Sequence, residues 1–211
     1  MTKEVLDGLL SDLQEFFKDD YSGHDFNHTI RVYKLACNLA RKENANLEIV
    51  SLAALLHDVD DVKLTQSINY QNARLMMNKY GIDALIQEEV IAIIQDVSFK
   101  GNQSKSPATL EGKIVQDADR LDAIGAIGIA RAFTFGGNHN RPLYNDEKPE
   151  LDMDEASYLK HESSTINHFY EKLLLLKDLM NTDSARVLAD QRHQFMVNYL
   201  EEFFDEIEGK K

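Results

Sequence analysis

Leu47-Glu48-Ile49-Val50-Ser51-Leu52-Ala53-Ala54-Leu55-Leu56-His57-Asp58 is the stretch that sets the fold. Its apolar residues do not sort onto one stripe, so a helix over 47–60 is predicted to be buried nearly all round. A helix of that kind needs other helices packed about it. It also ends on a histidine and an aspartate, two residues that a core does not bury without a partner.

Working outward, helical periodicity dominates and β-branched alternation is nearly absent. Residues 3–18 carry Val5, Leu6, Leu9, Leu10, Leu13, Phe16 and Phe17 on one stripe, which docks either on the parent domain or on a second subunit. Further helices are predicted at about 27–43, 67–80 (stopped by Gly81), 83–97, 109–122, 124–135, 154–178 and 184–207. Gly101 to Pro107 reads as a polar loop, and a longer one opens at Gly136-Gly137 and reaches about 152. No repeat or interdomain linker interrupts this pattern. The expectation is an all-α helical bundle forming a single domain over 1–211. Its site-bearing core covers about 20–135, and the helices of about 154–207 pack on it.

Composition narrows the function. The chain has 211 residues, 43% of them hydrophobic, enough for a full core. Its net charge of −13, from 23 basic and 36 acidic residues, repels nucleic acid, and no Lys/Arg cluster offsets it. A small phosphorylated partner is still admissible, provided that a metal or a few placed cations receive it. The single cysteine, Cys37, sits in the apolar run Val32, Leu35, Ala36, Leu39 and reads as a buried small hydrophobe. No apolar run approaches a membrane span and no signal core follows Met1, so a reducing cytoplasm is expected.

The chemistry concentrates in three separated segments. His28 follows Gly23-His24-Asp25-Phe26-Asn27; His57-Asp58 closes the apolar helix; Asp119 lies in Gln116-Asp117-Ala118-Asp119-Arg120-Leu121-Asp122. Two imidazoles and two carboxylates suffice to hold one divalent ion; imidazole suits Mn, Fe, Co, Ni or Zn, and Mn is the expected ion, with Fe, Co, Ni or Mg as alternatives that ligand softness does not separate. Such an ion activates a water or grips a phosphate. The bland alternatives are a solvent-facing His-Asp pair at a helix end and an ion pair of Asp119 with Arg120 or Arg131.

His28, then His57-Asp58 at a spacing of 29, then Ala118-Asp119-Arg120-Leu121 together resemble the HD-domain phosphohydrolase superfamily. The resemblance covers about residues 20–135. The tail Ile166-Asn167-His168-Phe169-Tyr170-Glu171-Lys172-Leu173, with Gln116 to Gly125, is similar to that superfamily's small bacterial single-domain branch. The resemblance implies an all-α HD domain and one divalent metal on His28, His57, Asp58 and Asp119. It further implies hydrolysis of phosphoesters or phosphoanhydrides, mostly of nucleotides.

The same resemblance suggests a catalytic group. Asp58 and Asp61 are one turn apart, and an acid at the Asp61 position orients or deprotonates the attacking water. Lys63 then holds a substrate phosphate as a point charge. Substrate-binding candidates are His24, Arg31, Lys63, Arg120, Asp122, His168 and Lys172. Each has an ordinary alternative. Asp61 is also a solvated acid of the run Asp58-Val59-Asp60-Asp61, Asp122 a partner for a nearby arginine, Arg120 a structural cation, and His168 with Lys172 the polar edge of a packed helix. Asp25 reads as a helix cap. His139, His161 and His193 read as surface residues.

No histidine lies between Asp58 and Asp119. Two-metal HD enzymes draw further histidines from that interval, so a mononuclear centre is expected and cyclic-nucleotide chemistry is disfavoured. The leading expectation is cleavage of a nucleoside triphosphate to monophosphate and pyrophosphate. A 5′-nucleotidase, and a non-catalytic metal or nucleotide sensor, are the alternatives. A homodimer is compatible with the stripe on residues 3–18.

Overall fold

Helices supply all the regular structure in the described residues of this computed structural model, namely 1–19, 25–61, 67–97, 106–151 and 163–211. The all-α expectation is borne out. Among the described residues no helix is long and apolar enough to cross a membrane. The residues group into two compact units, one within Met1–Lys100 and Ser104–Asp119, the other within Arg120–Lys211.

The first unit contains α1 (Lys3–Phe16), α2 (Phe26–Glu43), α3 (Leu47–Leu56), α4 (Gln71–Lys79), α5 (Ala84–Val97) and most of α6 (Leu110–Asp122). α3 is its centre. Every residue from Ile49 to Leu56 is buried, as the all-round apolar pattern requires. α2 covers it with Val32, Ala36, Leu39 and Ala40, and α5 with Val90, Ile91, Ile93 and Ile94. Each such aliphatic side chain contributes roughly 1.5–3 kcal/mol by leaving water. The stripe of α1 is used within the chain, since Leu9 and Leu13 are fully buried. Asp12 on the same helix receives Lys79 Nζ at 2.7 Å and the Tyr80 hydroxyl at 2.9 Å.

α3 stops at Leu56 rather than continuing to residue 60. Beyond it the backbone turns through i to i+3 bonds, Val59 N–H to Leu56 O and Asp61 N–H to Asp58 O. The cause lies in α4. Asn69 and Tyr70 enter that helix in the left-handed region, and Tyr70 offers no side-chain cap. The carboxylate of Asp60 does so instead, accepting Asn72 N–H at 3.0 Å, Ala73 N–H at 2.8 Å and the Ser67 hydroxyl. Asn72 Nδ2 returns a bond to Val59 O at 2.8 Å. An acid on these first-turn N–H groups is also favoured by the helix dipole.

The second unit contains α7 (Gly125–Asn138), α8 (Thr165–Glu171), a 3-10 helix (Leu173–Leu179) and α9 (Asp183–Ile207). α9 packs along α7 and the 3-10 helix. Phe169, Phe133 and Tyr199 form a ring cluster with centroids 5.9–6.1 Å apart. α7 begins at Gly125 in the left-handed region, with the stem of Arg192 where a Cβ would stand.

Two boundaries differ from expectation. α7 runs on through Gly136-Gly137 to Asn138 instead of stopping at 135. Gly136 lies so close to Thr165 that a Cβ would collide with its Oγ1, so the glycine serves helix contact and not a loop. The helix expected over 154–178 breaks at Lys172 and continues as a 3-10 helix. In that geometry residues three apart eclipse, which buries Leu173 and Leu176 together. The part of that expectation over 154–162 lies outside the described residues.

Candidate metal centre

Three helix ends bring the candidate donors together. Asp25 caps α2 by accepting His28 N–H at 2.8 Å, which places His28 in the first turn. His57 and Asp58 sit where α3 gives way to the turn. Asp119 projects from the last part of α6 that belongs to the first unit.

The described donors cluster about the two imidazoles, and His28, His57 and Asp119 together could hold a metal ion. His28 Nε2 and His57 Nε2 are 3.3 Å apart, and Asp58 Oδ2 is 3.3 Å from each. Asp119 Oδ1 lies 3.5 Å from His28 Nε2 and 3.9 Å from His57 Nε2. Donors about 2.1 Å from a shared ion stand roughly 3–3.5 Å apart at right-angle or tetrahedral angles.

The donor chemistry agrees with the spacing. His57 Nδ1 lies 2.9 Å from Ala54 O, and only an N–H can face a carbonyl, so the lone pair falls on Nε2. That backbone bond also fixes the ring's orientation, as metal-binding histidines require. Two neutral imidazoles and two carboxylates carry a formal charge of −2, which one divalent cation cancels. Without a cation, the buried Asp58 carboxylate would bear a heavy desolvation cost. The residues therefore fit the group.

The described donors differ in exposure. The side chains of His28, His57 and Asp58 are 0%, 3% and 9% exposed, whereas Asp119 is 28% exposed.

The other predicted residues distribute differently. Asp61 is half-buried beyond the turn, so it follows Asp58 through a turn and not along a helix face. Arg31 is half-buried on α2, one turn after His28. His24, Lys63 and His161 lie outside the described residues. Asp96, an acid in the histidine-free interval, is exposed. In the second unit Asp122 is buried and pairs with Arg131 Nη1 at 2.9 Å, the ordinary alternative weighed for it. Arg120 is buried and donates to Leu179 O of the 3-10 helix. His168 and Lys172 lie on α8 and at its end. His139 is exposed and stacks on Phe135 at 3.8 Å. His193, read as a surface residue, is half-buried, and its Nδ1 is buried without a hydrogen-bond partner.

Sequence reasoning passed over two buried acids. Asp60 is the cap described above; the signal for it was the absence of a capping residue before α4. Asp117 is fully buried on α6 beside Gln116, whose Nε2 donates to Asp96 O at 3.1 Å.

Residues 25–124 match the HD domain family. The Bacillus subtilis protein YpgQ is 43% identical over 201 residues, spanning 93% of this chain and 91% of that protein. This chain belongs to the HD-domain family. Solved structures agree. YpgQ in complex with ADP superposes with a TM-score of 0.78 at 40% identity, covering 97% of this chain and 99% of that one. A Lactobacillus plantarum protein gives 0.83 at 38% identity and 99% coverage of both chains. A Bacillus thuringiensis HD-superfamily hydrolase gives 0.77 at 37% identity and 98% coverage of both. Like the family, this HD protein is a metal-dependent phosphohydrolase, and its His28–His57–Asp119 cluster is of metal-binding type.

Proposed function

We propose that this HD hydrolase cleaves nucleoside triphosphates to a monophosphate and pyrophosphate. The observation that carries the reading is the donor cluster itself, three nearly enclosed donors with the more exposed carboxylate of Asp119 beside them. The ADP held by YpgQ supports a nucleotide as the ligand class.

In this reading His28, His57, Asp58 and Asp119 hold one divalent ion, Mn first and Fe, Co, Ni or Mg as alternatives. When bound, it polarises phosphate oxygens and acidifies water. Asp61 orients the attacking water and takes its proton. The water oxygen bonds to the α-phosphorus, the bond from that phosphorus to the oxygen bridging to the β-phosphorus breaks, and pyrophosphate leaves with the electron pair. Lys63 and Arg31 hold phosphate charge, and His24, seven residues before Arg31, reaches the substrate. Arg120 and Asp122 act as anchors through Leu179 and Arg131. A reducing cytoplasm suits the buried free thiol of Cys37.

A product-resolved assay tests the reading. Metal-stripped protein is loaded with Mn and given nucleoside mono-, di- and triphosphates, with Asp58→Ala alongside. Pyrophosphate from triphosphates, absent in the variant, is the expected result. Inorganic phosphate from monophosphates would move the assignment to a nucleotidase. Bound metal without turnover of any nucleotide would move it to a sensor.

A further inference from the structure

The turn that carries Asp58 and Asp61 is held from outside by α4. Asn72, in the first turn of that helix, donates through Nδ2 to Val59 O at 2.8 Å. Its own backbone N–H goes to Asp60 Oδ1 at 3.0 Å. Val59 and Asp60 are the two residues between Asp58 and Asp61, and each has an oxygen tied to Asn72. Within the turn, Asp61 N–H closes back on Asp58 O at 3.1 Å. All of these residues belong to the first unit.

The support is firm and its entry is strained. Ala73 and Met77 of α4 are fully buried. Arg74 pairs with Glu88 of α5 through bonds of 2.6 and 3.1 Å, and Lys79 and Tyr80 at the other end both reach Asp12 of α1. Before the helix, Asn69 and Tyr70 are consecutive non-glycine residues at φ 57°, a region that side chains avoid. Such a conformation persists where the surrounding bonds over-determine it, and it concentrates at functional sites. Here it sets the first turn of α4 against the turn after α3. Asp60 already supplies acceptors for the first N–H groups of α4, so the Asn72 amide is not needed as a cap. It goes instead to a carbonyl beyond the end of α3, which has no helical partner.

We propose that Asn72 is a positioning residue for the hydrolysis. Its amide fixes the Val59 peptide, and so the place of Asp61 relative to Asp58. The inference rests on the role of Asp61 proposed above. Asn72 touches no reacting atom and acts through Asp61. A displacement of about 1 Å in a reacting group costs on the order of 100-fold in rate.

Asn72→Ala removes the amide and keeps the main-chain N–H that Asp60 accepts. Full-length, Mn-loaded variant and wild type are compared by hydrogen exchange, metal analysis and nucleotide kinetics. Exchange of Asp61 N–H is expected to quicken about tenfold or more, with bound metal unchanged. kcat for triphosphate should fall about tenfold or more, with KM within about twofold. Asn72→Gln restores an amide on a longer arm and should recover part of both effects. If the urea midpoint shows that the Ala variant is misfolded, the Gln variant is read against wild type. In an Asp61→Asn background, Asn72→Ala should lower kcat no further, because the two residues act as a unit. Unaltered exchange at Asp61, unaltered kcat, or the same fall in the Asp61→Asn background overturns the proposal. So does loss of metal, which would make Asn72 a support of the donors instead. If wild type turns over no nucleotide, quickened exchange at Asp61 keeps the hold on the turn and rejects the reaction.

Discussion

His28 and His57 aim their Nε2 atoms at each other across 3.3 Å, although 29 residues separate them in the chain. The proton of His57 is engaged by Ala54 O on the far side of the ring. Two imidazoles hold that approach when a cation, or a proton on His28, lies between them. Replacing either should therefore abolish metal binding. For His28→Ala and His57→Ala, elemental analysis of the dialysed protein should show metal content falling from near one per chain to a small fraction. Affinity should drop at least about 100-fold, the upper range seen for lesser outer-shell changes. Full metal retention in both variants would remove the assignment of this cluster.

Asp60 should matter for stability and not for metal. Its carboxylate binds two N–H groups of α4 and the Ser67 hydroxyl while almost enclosed. Asp60→Ala leaves those donors unpaired, at a cost of about 2–3 kcal/mol. Urea unfolding of metal-loaded and metal-stripped protein measures this. The loss should be alike in both, whereas a loss confined to the loaded form would place Asp60 in the metal centre instead.

The contact of α7 with α8 has a specific signature. Gly136→Ala sets a methyl against Thr165 Oγ1 and should cost about 1–3 kcal/mol. In a Thr165→Ala background the obstructing hydroxyl is gone, so the same substitution should cost markedly less. The double-mutant cycle reads this coupling directly. Additive effects would mean that the crowding is relieved elsewhere.

His168 makes stability depend on pH. An unfolded histidine titrates near 6.5, and the folded one is held down to about 3. Between those values the unfolded chain binds a proton that the native state refuses. The contribution is thus complete above about pH 6.5 and is lost progressively as pH falls towards 3, by up to a few kcal/mol. His168→Gln lacks the titration. Urea midpoints taken from about pH 7 to 4 should move in the variant's favour relative to wild type. A constant difference across that range would contradict the assignment.

Much of the first unit was legible because its signals are local. The apolar stretch before His57 marked α3 as a buried helix, and Asp25 marked the start of α2; both stand in the structure. The residues of the donor cluster were legible as types, since imidazoles and carboxylates beside apolar helices need partners. Less legible were the partners of polar groups. Asp60 looked like one more acid in a solvated run, and Asp122 like an arginine's partner or a site residue with equal reason. His193 looked like surface.

The amino-acid sequence by itself determined the helical class, the central place of α3 and the set of candidate donors, because side-chain periodicity and donor chemistry are properties of neighbouring residues. Tertiary structure alone decided where α3 ends, that α7 continues through Gly136-Gly137, that the last expected helix breaks at Lys172, and that Asp122 faces Arg131. Each of these depends on a group brought from a distant segment: the bare N-terminus of α4, Thr165, the eclipsed leucines, a guanidinium one element away. A buried polar atom or a crowded backbone is satisfied by whatever the fold places beside it, and local sequence does not carry that information.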